Sequence, residues 1–345
     1  MSLPKAYVDG FLIDWEDGEY EAQVQMLRAR SKSAMTVVGR RSVSVGNAGG
    51  KGRGGGDPAR RAQAIRERLD RTIRKVPEVM VKITSSCNGL TEIGRHISYI
   101  SRKGQIALED QDGCILSGKD QLADLREEWR YGGVRPLGEV SDRRDTLNLV
   151  FSMPAMTDEA GLKRAVRAFA QSEFDGHQYV FAYHTPSTDP DPDPPDHAHI
   201  HLCLRMEGPD GKRLNPRKAD LQRWREGFAA ELRSHGVEAN ATTRLARLKR
   251  TRGSARAIKA MEAKGRGQPD IRPPEPSSPR VEKAQRLEQR RLEYYYAASR
   301  ILAESEDPAD RHLAVRLAKH IQTLASPDRV KPVSAPTRNR SEPER

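Results

Sequence analysis

Three of the chain's nine histidines stand at alternating positions in Asp196-His197-Ala198-His199-Ile200-His201-Leu202-Cys203-Leu204. The run continues into apolar residues with strand character, and in a strand the side chains of residues i and i+2 share a face. His199 and His201 would then project side by side. A neutral imidazole binds divalent ions well, so this pair offers two ring nitrogens aimed at one point. His184 closes an earlier strand-like run, Tyr179-Val180-Phe181-Ala182-Tyr183. Pairing of the two strands through the intervening loop would bring His184 beside the other two and complete a three-histidine metal site. Alternating histidines also occur as the polar face of a half-exposed strand; the third histidine and the apolar residues between the ligands favour the metal site. His197 is the alternative third ligand, or a hydrogen-bonding partner of Asp196.

Two further residues could do chemistry, and each depends on an element that presents it. Tyr99 lies in a run from Leu90 to Ser101 whose apolar residues Leu90, Ile93, Ile97 and Ile100 have helical spacing. By itself it reads as an ordinary tyrosine of an amphipathic helix. His96, three residues earlier, sits on a neighbouring helical face, where it could orient a phenol or a phosphate. Ser152 ends the strand-like run Leu147-Asn148-Leu149-Val150-Phe151-Ser152-Met153, which Pro154 closes.

The remaining core elements follow from the same patterns. A short β-branched run, Val79 to Thr84, opens the core, and the segment Ser85 to Gly89 breaks it before the Tyr99 helix. This first strand is expected at the sheet centre, beside the histidine strand. A hairpin around Asp112-Gly113, a helix over Gln121 to Tyr131 and a helix over Glu159 to Phe174 come next. Thr185 to Asp196, rich in proline and aspartate, reads as a surface loop. After Pro216, the helix Arg217 to His235 places Leu221, Trp224, Phe228 and Leu232 on one side. The order of elements predicts an α+β fold with a central antiparallel sheet and packed helices.

Composition bounds the partners. Of 345 residues, 36% are hydrophobic, 31% charged and 5% aromatic, which suits one folded core with poorly ordered flanks. The net charge of +12 implies an anionic partner, nucleic acid first. No long apolar run favours membrane insertion, and the first twenty residues do not resemble a signal peptide. Three scattered cysteines, with no Cys-x-x-Cys, suggest neither a disulfide framework nor a zinc finger, so a reducing cytoplasm is the expected location. The expected organisation is a basic flexible region over 1–75, a core domain over 76–265, a linker over 266–279, and a charged helical region with a disordered basic tail over 280–345. The glycine-rich stretch Gly49 to Gly56 lacks the Lys-Ser/Thr pair of a phosphate loop and reads as linker. The flanks are expected to have too little apolar sequence for cores of their own. Arg217 and Lys218, with Arg247, Lys249 and Arg250 in the dense basic stretch 244–256, are candidate phosphate contacts.

Taken in order, His96-Ile97-Ser98-Tyr99-Ile100-Ser101-Arg102-Lys103-Gly104, Leu149-Val150-Phe151-Ser152-Met153-Pro154 and the histidine run resemble the three motifs of the conjugative relaxases, or mobilisation nucleases. These belong to the superfamily of endonucleases named for a histidine-hydrophobe-histidine signature. The resemblance runs from about Glu78 to about Thr243 and continues through Gly211-Lys212-Arg213-Leu214-Asn215-Pro216-Arg217-Lys218-Ala219-Asp220, with Trp224-Arg225 downstream. It implies a relaxase-like fold in which Tyr99 attacks a phosphodiester of single-stranded DNA at a transfer origin. His184, His199 and His201 would hold a divalent ion, magnesium or manganese with zinc left open, and Ser152 would contact DNA near the cut. It also implies relaxosome accessory proteins as partners. The Arg-rich end (Arg338, Arg340, Arg345) would be read by a type IV secretion coupling protein. Replication initiators of the superfamily carry the tyrosine after the histidines, the reverse of the order here. A basic DNA-binding accessory protein with structural histidines is the rival of another class.

Overall fold

The computed structural model describes residues 2–18, 57–192, 194–242 and 279–325. They fall into two compact units, one spanning Lys75–Thr243 and the other gathered from residues on either side of it. The stretches 49–56 and 243–278, which include Arg247, Lys249 and Arg250, lie outside the described residues, as does the Arg-rich end.

The flanking unit departs from expectation. Residues 5–18 form a helix (α1) rather than an unstructured arm. Pro58–Ile73 (α2) starts at Asp57, whose carboxylate accepts the Ala59 amide, with Pro58 in the first turn. These two helices share a buried core with the helices Pro279–Ala303 and Pro308–Ala325. Val8, Leu12 and Trp15 of α1 and Ile65 and Leu69 of α2 meet Tyr295, Leu302, Leu313, Leu317 and Ile321. The Trp15 ring stacks on Tyr294 at 4.9 Å. No single flank carries enough apolar residues for a core, but each carries a stripe, and four stripes from the two ends of the chain bury one another.

Within this unit Arg66 is nine-tenths buried. Its Nε and Nη2 donate to the two oxygens of Asp310 at 2.6 and 2.9 Å, and its Nη1 donates to Asp9 at 2.6 Å. Removing one member of such a pair strands the others in a low dielectric. Arg66→Met should destabilise this unit by about 3 kcal/mol, seen as a lower unfolding midpoint in denaturant.

The second unit is an antiparallel sheet between two layers of helices. Its strands are Met80–Cys87 (β1), Leu108–Asp110 (β2), Ile115–Leu116 (β3), Thr146–Ser152 (β4), Tyr179–His184 (β5) and His199–Arg205 (β6). They lie in the order β1-β4-β6-β5-β2-β3. The predicted α+β class and antiparallel sheet are observed. The histidine strand β6 lies between β4 and β5, and both neighbours are almost wholly buried. The first strand does not sit beside it. β1 is the edge strand, separated from β6 by β4, and it runs through Cys87 where a break at Ser85 was expected. Lys82, Thr84 and Ser85 are polar and not buried, the composition of an edge. The pairing with β4 slips between Ile83 and Ser85, so the strand is irregular there without ending.

One sheet face carries Leu149, Phe151, Tyr179, Phe181, Ile200, Leu202 and Leu204. It packs under Glu159–Glu173 (α5) and Lys218–Ser234 (α6), with Phe151 edge-on to Phe228 at 5.2 Å. The other face carries Val180, Ala182 and Cys203 beneath Gly89–Ile100 (α3) and Gly118–Tyr131 (α4). α3 begins at Gly89, whose φ of +75° favours glycine. The Gly89 amide donates to the buried Asp145 carboxylate at 2.9 Å, a negative charge set at a helix N-terminus. No helix among the described residues is long and apolar enough to cross a membrane.

Candidate active site

Strand register brings the histidines together. His199 pairs directly with His184 on β5 and with Ser152 on β4, while His201 pairs with Ala182 and Val150. Directly opposed residues point to the same face, so Ser152, His184, His199 and His201 all face the α3 layer. The rings of His184 and His199 lie 5.1 Å apart, those of His184 and His201 5.0 Å, and those of His199 and His201 5.1 Å. His184 is fully buried, and Ser152 is only 4% exposed.

The electrostatics keep ring nitrogens available. Burial pushes His199 down to about 4 and His201 down to about 3, with neighbouring histidines adding to the shift. Both are neutral at pH 7. The His199 Nδ1 donates to the His197 carbonyl at 3.3 Å, which leaves Nε2 as its lone pair. The His184 Nδ1 donates to Asp189 Oδ2 at 2.8 Å, and its Nε2 reaches the Ile100 carbonyl at 2.7 Å. A cation held by His184 would displace the second of these bonds.

Ligand atoms of His184, Asp189 and His199 all lie within 4.8 Å of one another. Imidazoles of His184 and His199 beside a buried carboxylate fit a divalent ion, the carboxylate orienting His184 through Nδ1. Among the described residues this group holds Asp189 with two of the expected histidines, while His201 lies beside it, its ring 5.0 Å from that of His184. His197 bonds Asp196 at 2.8 Å at the rim, with its ring 6.0 Å from that of His199.

Tyr99 reaches the same place from α3. Leu90, Ile93, Ile97 and Ile100 bind the helix to the sheet and leave Tyr99 off that stripe, 58% exposed. Its ring stands edge-on to His201 at 6.1 Å, and His96 lies 6.3 Å away on the preceding turn. Burial pushes His96 down to about 4, and its buried Nε2 has no hydrogen-bond partner among the described residues. After Ser101 the chain turns through Arg102, Lys103 and Gly104, all at positive φ (50°, 59° and 87°). Arg102 donates to both oxygens of Asp189 at 2.8 Å, and its guanidinium carbon lies 5.2 Å from the Tyr99 ring centre. This pairing holds the Asp189 carboxyl far below the usual carboxylate range, with the bond from His184 contributing. A cavity of about 600 Å³ opens beside Tyr99, lined by Arg95, Arg102, Lys103 and the loop residues Pro190 to Pro192.

Asp189 and Arg102 were not legible as site residues. Asp189 is one of several aspartates in a proline-rich loop, and its only mark was its place five residues after His184. Arg102 lies three residues past Tyr99, one helical turn away. Arg217 and Lys218 begin α6, which covers the opposite sheet face, so the structure does not bring them to the histidines. Tyr131 is 67% exposed at the end of α4, and Tyr295 belongs to the core of the flanking unit.

The depressed histidines make stability depend on pH. Their folded pKa values lie below the unfolded one, so the unfolded chain binds more protons between about pH 3 and 6.5. The stability of this unit is therefore complete above about pH 6.5 and is lost as pH falls through that window. Thermal melts of the metal-free protein should show this decline, and changing His199 and His201 to Gln should flatten it.

Residues 102–237 match the model of a family described as relaxase, MobA/VirD2-like, nuclease domain. The match spans Ser152, the three histidines, Asp189 and Arg217, and begins just after Tyr99. Over this stretch the chain is similar to a relaxase nuclease domain, which supports DNA nicking and mobilisation as the class of activity. No curated protein matches the chain.

Proposed function

We propose that this protein nicks and rejoins one strand of DNA at a transfer origin through a covalent bond from Tyr99 to the 5′ phosphate, and so initiates conjugative transfer. The observation that carries the reading is the placement of an exposed tyrosine edge-on to a buried histidine cluster, on a helix pinned to the same sheet face. The Tyr99 oxygen attacks phosphorus, the bond to the 3′ oxygen breaks, and that oxygen leaves as a 3′ hydroxyl once protonated. A phenol is protonated at neutral pH and needs a base or a nearby cation to attack. The phosphotyrosine retains the energy of the broken bond, so a 3′ hydroxyl can reverse the step without a nucleotide cofactor.

His184, His199 and His201, with Asp189 behind them, would hold the divalent ion, magnesium or manganese with zinc left open. Bound there, it would supply positive charge to non-bridging phosphate oxygens in the transition state. Ser152 would approach the DNA from beside His199, and His96 would orient the phenol or a flanking phosphate. Arg217 and Lys218, with Arg247, Lys249 and Arg250, would track the backbone of the single strand. The flanks would serve relaxosome accessory proteins, and the Arg-rich end a type IV secretion coupling protein, in the cytoplasm.

The test is a supercoiled plasmid carrying the DNA that flanks the gene, incubated with protein and manganese or magnesium. The expected product is a nicked circle with protein on the 5′ end. Binding of that DNA without any nick would favour a DNA-binding accessory protein.

A further inference from the structure

Five groups around the end of α3 are linked in series. The Ile100 carbonyl, adjacent to Tyr99, meets His184 Nε2 at 2.7 Å, and His184 Nδ1 donates to Asp189 at 2.8 Å. Both Asp189 oxygens take bonds of 2.8 Å from Arg102, and Arg102 returns to the Tyr99 ring. The Asp189 side chain is fully buried, and that of Arg102 is 15% exposed. Such paired bonds between a planar guanidinium and a carboxylate fix orientation as well as distance.

The backbone that delivers Arg102 is itself unusual. Arg102 and Lys103 both adopt left-handed φ values, which side chains rarely take. Conformations of this kind persist where surrounding bonds over-determine them. The bond to Asp189 is one such constraint, and it joins residues 87 positions apart.

From this geometry we infer that Arg102 is a positioning residue: paired with Asp189, it locks the end of the nucleophile's helix to the proline-rich loop and aims Tyr99 at the histidines. The inference rests on the reading of Tyr99 as nucleophile. The two elements beside the Tyr99 cavity, the helix end and the loop through Pro190 to Pro192, are joined by Arg102, which pairs with Asp189 at 2.8 Å and also reaches Asp191 at 3.6 Å. Without it the phenol keeps its chemistry but loses its aim. A displacement of about 1 Å at a reacting atom can cost about a hundredfold in rate.

The experiment uses the full chain as wild type, Arg102→Ala, Arg102→Lys, Asp189→Asn and the Arg102→Ala/Asp189→Asn double variant. The probe is a single-stranded oligonucleotide spanning the nick that the wild type makes on plasmid DNA. Arg102→Ala should slow single-turnover adduct formation by about a hundredfold, with oligonucleotide affinity changed by less than about fivefold. Asp189→Asn should do the same, and the double variant should be no worse than either. Arg102→Lys keeps the charge but not the paired bonds, so it should restore little of the rate. Cleavage by Arg102→Ala within threefold of wild type, full rescue by lysine, or a loss confined to affinity would overturn the inference.

A second readout does not depend on cleavage. Fluorine NMR of protein labelled with 3-fluorotyrosine should show one line that is absent from Tyr99→Phe. That line should shift or broaden alike in Arg102→Ala and Asp189→Asn. An unmoved line in folded variants would sink the inference even if the wild type proved inactive. Failure of wild-type cleavage alone would instead count against the proposed reaction.

Discussion

Tyr99→Phe is expected to bind single-stranded DNA as the wild type does and to form no covalent adduct. The substitution removes one oxygen and keeps the ring, so its edge-on contact with His201 at 6.1 Å survives. The phenol is 58% exposed, open to a strand arriving from solvent, while the hydrophobic stripe of α3 stays buried beneath it. Loss of a nucleophile leaves only the catalysis supplied by binding and charge, and comparable losses exceed about 10⁴-fold. Peptide mapping of the wild-type adduct by mass spectrometry is the direct check. An adduct on Tyr131 or on the Tyr294-Tyr295-Tyr296 cluster would exclude Tyr99.

The second large effect is expected from the histidines. His199→Ala and His201→Ala should each lower nicking by about 10³-fold, equivalent to about 4 kcal/mol of transition-state stabilisation. Single-strand affinity should change little, because loss of a ligand removes charge stabilisation from the transition state rather than contacts to the backbone. Manganese binding, followed calorimetrically without DNA, should weaken in both variants and in His184→Ala. His197→Ala should be milder, since its ring is bonded to Asp196 and partly exposed. An essential His197 beside a dispensable His184 would reassign the third ligand. If all four variants bound manganese as the wild type does, the cluster would not be the metal site.

Much of the site was legible because its signals are local. Alternation places His199 and His201 on one face of any strand that forms there, and the i, i+3, i+4 stripe of α3 sets which way Tyr99 does not point. The pairing of β5 with β6 followed from two adjacent strand-like runs and put His184 beside them. The signals failed where partners are remote and the intervening chain says nothing. The first strand was expected beside β6 on its β-branched residues alone, yet its polar positions suit the sheet edge. Each flank alone has too little apolar sequence for a core. Val8 and Leu12 find Leu317 and Ile321 only after the whole chain has folded back.

Periodicity and residue type, carried by contiguous stretches, determined most of the strands and helices and the three-histidine row. The tertiary structure alone decided that Asp189 joins the histidines, that Arg102 grips Asp189, and that the two ends of the chain build one core. The physical reason is the range of the forces involved. Backbone hydrogen bonding and side-chain alternation repeat within a few residues. Burial and ion pairing depend on which distant groups the completed fold excludes from water together.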